Sequence, residues 1–158
     1  WTAGDAAAAR QATLAARAQA GSVAEPLRAS ALALMEVLTA LDDGPAPGTP
    51  EAAALAALEQ LSERSRHPLV QVRHWRAQAA AATGHGDASR ALEAARRQAA
   101  VAHRAELLEW HCEALHLIGQ LDAGPAAEAA RRQSRELAQA QGYGWLASPA
   151  DPTSCRRR

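Results

Sequence analysis

Residues 75–98, WRAQAAAATGHGDASRALEAARRQ, and residues 110–133, WHCEALHLIGQLDAGPAAEAARRQ, can be laid on each other without a gap at a spacing of 35. Trp75 falls on Trp110, Ala79 on Ala114, Gly84 on Gly119, Asp87 on Asp122, Ala91 on Ala126 and Glu93 on Glu128. The run Ala94-Ala95-Arg96-Arg97-Gln98 falls on Ala129-Ala130-Arg131-Arg132-Gln133, and Trp145 stands one more period along. A fixed period of this length marks an array of similar helical hairpins, each too small to bury its own apolar face and therefore stacked on its neighbours. Arrays of this kind bind partners more often than they carry out chemistry.

Composition agrees with an all-α chain. Alanine makes up more than a quarter of the 158 residues, and leucine, arginine, glutamine and glutamate supply much of the rest; all are good helix formers. Alanine-rich helices can approach closely, but each buries little apolar area, so the tryptophans and leucines are expected to serve as large anchors.

All 17 basic residues are arginine, and lysine, asparagine and phenylalanine are absent. This reads as the codon bias of a GC-rich, bacterial genome. The 17 basic residues are balanced by 17 acidic ones, so net charge is zero and no global field favours nucleic acid or an anionic membrane. No apolar run approaches the length of a membrane span and no signal peptide opens the chain. Cys112 and Cys155 do not make a disulfide framework, and the expected compartment is the cytoplasm.

Along the chain, Asp5 can cap a helix to about Ala20, ended by Gly21. A second helix begins near Ala24, tolerates Pro26 in its first turn and carries Leu27, Leu34, Leu38 and Leu41 on one stripe. Asp42 to Pro50, with three prolines and two glycines, must be a loop. Thr49-Pro50-Glu51 then starts a helix with Leu55, Leu58 and Leu61 on its inner side. Pro68 opens the next, to about Gly84; Asp87 caps another, to about Ala102. Two more are expected near Arg104 to Leu121 and Pro125 to Gln141, the last closed by Gly142. That gives about seven helices in a single domain over residues 1–147, followed by a disordered tail over 148–158. Because Trp1 is not methionine, and Gly4-Asp5 followed by alanines resembles Gly86-Asp87, the chain is expected to be a piece of a longer polypeptide that enters partway through a repeat.

The spacing within each unit resembles the tetratricopeptide repeat. Trp75, Ala79, Ala82, Gly86-Asp87, Ala91 and Ala95 stand where that family carries a large residue, a small crossing residue, a turn and small second-helix residues. Trp110, Ala114, Leu117, Asp122, Ala126 and Ala130 repeat the set. The resemblance is good over residues 68–141 and weaker over Ala24 to Arg66, where Ala31, Leu34, Ala54, Leu58 and Leu61 keep the pattern but the connecting loop is too long. Gln98 and Gln133 replace the usual small residue, and the customary proline between repeats is missing. The resemblance implies antiparallel hairpins stacked as a right-handed α-solenoid, like the degenerate arrays at the C-terminal end of large bacterial transcription regulators and signalling ATPases.

Little in the chain points to catalysis. Cys112 and His116 lie four apart on one helical face and are metal-ligand types, with His111 beside them, but no third ligand stands at a suitable spacing. No orienting group or thiolate-stabilising neighbour accompanies the cysteine. Gly84-His85-Gly86 reads as a hairpin turn rather than a phosphate loop. No catalytic residue, metal or cofactor is therefore assigned. The pairs Arg96-Arg97 and Arg131-Arg132 follow Glu93 and Glu128 in the favourable order for helix salt bridges.

In tetratricopeptide proteins the first helix of each hairpin lines the concave groove. By that register the groove here shows Arg28, Leu32 and Met35, then Arg73 and Arg76, then His111, Cys112 and Leu115. Three arginines with few acidic neighbours suit a carboxylate or an acidic peptide, the plainer alternative being a solvated face. The expected function is a non-catalytic interaction or effector-sensing module. Its partner would be a protein or peptide segment, including an acidic one, or an N-terminal output domain of the same polypeptide. No direct nucleic-acid or membrane contact is expected. The alternative is a structural scaffold or dimerisation module packed against its own ATPase, kinase or DNA-binding domain.

Overall fold

A computed structural model describes residues 11, 12, 15, 26–40 and 50–143. Of the helix expected over Asp5 to Ala20, residues 11, 12 and 15 are described and are helical. The 42–49 loop, the Thr49 cap, Trp145 and the expected tail with Cys155 lie outside the described residues. Within them the fold is all-α, with six helices and no strand: α1 Pro26–Ala40, α2 Pro50–Arg64, α3 Pro68–Gly84, α4 Ala88–Arg104, α5 Leu108–Leu121 and α6 Pro125–Gln141. None is long and apolar enough to cross a membrane.

Punctuation residues set most of these boundaries. Four helices begin on proline, whose missing N–H falls on a helix's unpaired first donors. His67 caps α3, its Nδ1 accepting from the Leu69 N–H at 3.2 Å, and Asp87 caps α4 through the Arg90 N–H at 3.0 Å. Gly142 closes α6 at φ 73°, with the Tyr143 N–H donating to the Ala138 carbonyl. One boundary departs from expectation. α5 begins at Leu108 rather than Arg104, because Ala105–Leu107 form a turn in which Glu106 adopts φ 55° without any glycine or proline to announce it.

Helices consecutive in sequence pack on one another, and α3 also packs against α1. Early α3 meets late α4 in a cluster of Val72, Val101 and Ala102. Early α5 meets late α6 at Cys112 and Ala138, so both hairpins are antiparallel. Alanines fill the contacts: Ala77, Ala79, Ala91, Ala95, Ala102, Ala114, Ala127 and Ala138 have no exposed surface. The tryptophans anchor the core from its edge, Trp110 packing against two clusters and Trp75 against one. Trp75 and Trp110 are both half-buried at the rim of the Val72 cluster, while Leu58, Val37, Val70, Val72 and Gln98 are the largest fully buried side chains. Helices spaced by alanine leave no room for an indole at the crossing, so it lies beside the contact instead.

The 35-residue period holds for the crossing residues of each hairpin's first helix and breaks at several positions of the second, although Ala95 and Ala130 are both buried. Ala79 and Ala114 are both fully buried, as are Ala77 and Cys112. In the second helices Ala91 is buried but Ala126 is exposed, and Gln98 is buried but Gln133 is exposed; Ala127 and Ser134, at a spacing of 36, take the inner positions. The cause lies in the turn. Gly86, at φ 74°, ends the first hairpin's bend, whereas Leu121 stands in its place one period later and stays helical, deferring the bend to Gly124 at φ 81°. Gly119 is needed for a different reason: a Cβ there would lie 2.5 Å from Cγ of Arg131, where α5 and α6 approach closely.

Candidate functional site

The residues expected to line a concave groove do not share one open surface. His111, Cys112 and Leu115 are buried. Leu115 packs in the α4–α5–α6 core with Ala95, Ala99 and Ile118. Leu32 and Met35 are half-buried, and Arg28 is exposed. Arg73 donates from Nη1 to the Leu27 carbonyl at 2.5 Å and to Ser30 Oγ at 3.0 Å, tying α3 to α1, and burial lowers its pKa. Arg76 pairs with Glu113 across to α5. These two arginines hold helices together, so the set is not presented to an anionic ligand.

The second-helix arginines are also fixtures. Arg97 pairs with Glu93 at 2.6 Å as its spacing predicts, but no such pair joins Glu128 and Arg132 among the described residues. Arg96 reaches Asp122 at 2.6 Å, and the Asp122 carboxyl is held below its usual pKa, first by the Ala123 N–H and then by Arg96. Arg131 donates to the Gly119 carbonyl at 2.6 Å.

Cys112 and His116 diverge despite their i, i+4 spacing. The Cys112 thiol donates to the Ser134 carbonyl at 3.1 Å, while the His116 ring meets the Gln120 amide at 2.9 Å. The His111 ring lies against His103, with centroids 5.0 Å apart. Among the described residues no three histidine, cysteine or carboxylate side chains converge as a metal site would require.

The arrangement with the most chemistry is a cleft of about 390 Å³ where α2, α3 and α4 meet. Glu63 lines it from α2, His74 and Trp75 from α3, and Arg97, Val101 and Arg104 from α4. Trp75 presents its ring between two neighbours: His74 packs edge-on at 4.6 Å, and the Arg97 guanidinium sits 4.8 Å from the ring centroid. Arg97 is already neutralised by Glu93. Arg104 donates from Nε to the Ala100 carbonyl of its own helix and has no carboxylate partner among the described residues; Glu63 likewise forms no ion pair there. The cleft therefore carries one unmatched charge of each sign.

His74 is 6% exposed, and its Nδ1 is buried without a hydrogen-bond partner. Burial pushes its pKa down, outweighing the carboxylates of Glu59 and Glu63, which act upward. Burial thus disfavours the charged imidazolium even beside these two carboxylates.

This cleft leaves little trace in the sequence because its members come from three helices and share no spacing. Trp75 reads as a packing anchor and Arg97 as a helix salt bridge, and both roles are partly real. The one available signal is Arg104, a cation on the closing turn of α4 with no acidic residue three or four positions before it. No protein-family model, curated protein or solved structure matches the chain.

Proposed function

We propose that the chain is a non-catalytic sensing module: a right-handed, tetratricopeptide-like array of helical hairpins that receives an effector or partner segment in the α2–α3–α4 cleft. It would pass occupancy to an output domain of a larger cytoplasmic, bacterial regulatory protein. The observation that carries the reading is the cleft's pairing of a half-buried indole with two unmatched charges, Glu63 and Arg104. Ligand sites are mainly apolar concavities with a few convergent polar groups. An occupant touching three helices would stabilise their relative packing by mass action, about 2.7 kcal/mol at a hundred times its dissociation constant.

Thermal unfolding in the presence of amino acids, sugars, nucleotides and acidic peptides tests this reading. It expects a saturable rise in midpoint with one class, lost in Trp75→Ala, with the ligand recovered chemically unchanged. No stabilisation by any class, or conversion of the ligand, would contradict it. A scaffold reading draws support from Arg73 and Arg76, whose internal ties stiffen α1, α3 and α5 into one block. It expects no small ligand and burial of this surface against a second copy or a neighbouring domain.

A further inference from the structure

The unmatched charges narrow the occupant's chemistry. Arg97 is spoken for twice, by Glu93 at 2.6 Å and by the Trp75 ring, so it does not require a ligand anion. That leaves Glu63 on α2 and Arg104 on α4, which line the same cleft yet do not pair with each other. A simple anion would satisfy Arg104 and leave Glu63 facing a like charge. A simple cation would do the reverse. A zwitterion satisfies both, and a cleft of about 390 Å³ stands near the lower end of the roughly 300–1,000 Å³ typical of ligand pockets, suiting a small one. Between the charged residues Trp75, Ala100 and Val101 supply apolar lining, and Ser62 and Gln71 add uncharged polar groups. His74, nine-tenths buried in the same wall, leaves Nδ1 unsatisfied.

Building on the sensing reading above, we infer that the α2–α3–α4 cleft binds a free apolar α-amino acid, with its ammonium at Glu63, its carboxylate at Arg104 and its side chain against Trp75. Glu63 and Arg104 are both exposed along the cleft, so either can engage a ligand without dismantling the core. The guanidinium of Arg104 keeps its terminal nitrogens for a carboxylate, since its own-helix bond uses Nε.

Calorimetric titration with each of the standard L-amino acids tests the inference, followed by the N-acetyl and carboxamide derivatives of the tightest binder. Saturable binding of one or more apolar amino acids is expected, weakened about tenfold or more by blocking either charged end and by Glu63→Gln or Arg104→Gln. Both substitutions are at exposed positions, and unchanged helicity and unfolding midpoint in the free variants would separate lost binding from lost fold. Equal affinity for the blocked derivatives, or for the two variants, would overturn the inference. So would binding of only a sugar, nucleotide or acidic peptide at the cleft, an outcome that leaves the sensing reading standing. If no probe of any class binds, both fall.

Discussion

Arg76 Nε lies 2.7 Å from Glu113 Oε1, joining the first helix of one hairpin to the first helix of the next. The side chains are 24% exposed on each side, so the pair is only partly screened by solvent. Arg76→Ala is expected to cost about 0.5–1 kcal/mol in urea unfolding. A double-mutant cycle with Glu113→Ala should return a coupling of similar size. Zero coupling would mean that the two hairpins are joined by apolar contacts alone.

The deferred bend at Gly124 makes a paired prediction. Ala114 is fully buried and Ala126 is exposed, although both stand one period after buried alanines. Ala114→Leu should overpack the core and cost about 1–3 kcal/mol. Ala126→Leu should change stability by less than about 0.5 kcal/mol, as exposed sites usually do. Equal penalties at the two positions would contradict the shifted register.

Glu106 holds φ 55° in the α4–α5 turn, where glycine is the usual occupant. The left-handed conformation costs a residue with a Cβ about 1–2 kcal/mol. Glycine's extra freedom in the unfolded chain gives back about 0.5–1 kcal/mol of that. Glu106→Gly should therefore raise stability by roughly 0.5–1 kcal/mol, measured as a shift in the urea midpoint at constant slope. A loss of stability would show that the Glu106 side chain contributes more than its backbone costs.

Three histidines are expected to make stability fall in acid. Burial lowers the pKa of His74, His111 and His116 below the ordinary value of 6.5. The unfolded chain then takes up protons at a higher pH than the folded one. Their contribution is accordingly present above about pH 6.5 and is lost as pH falls from there through the depressed folded values. Urea unfolding at pH 7.5 and pH 5.5 should show the lower stability at pH 5.5, and His74→Gln should make the difference smaller. Equal stability at the two pH values would contradict the burial of these rings.

The fold was largely legible where backbone chemistry speaks locally. Pro68 and Gly84, and Pro125 and Gly142, delimit α3 and α6 as read, because proline and glycine act on the residues beside them. The start of α5 was not legible, since Glu106 turns the chain under tertiary control and has no local preference for doing so. The period itself misled in α6: Ala94 and Gln98 are buried whereas Ala129 and Gln133, one period on, are exposed, because Leu121 stands in the place of Gly86 and the bend moves to Gly124. The expected arginine groove failed for a related reason. Sequence gives a residue's face on its helix, but the partners that occupy Arg73 and Arg76 come from neighbouring helices 37 to 46 positions away. The α2–α3–α4 cleft was hard to read for the same cause, since Arg104 alone does not reveal the helices that face it.

The most direct test of the central claim, that this cleft is the ligand-receiving site, is a two-dimensional ¹⁵N–¹H spectrum of the indole N–H groups during an amino-acid titration. The chain has four tryptophans, and Trp75→Phe identifies the signal of the one that lines the cleft. The account predicts that an apolar amino acid shifts the Trp75 signal in a saturable way at its binding concentration, and that Arg104→Gln abolishes the shift. Saturable shifts confined to the other indoles, with Trp75 unmoved, would place binding elsewhere and contradict the account.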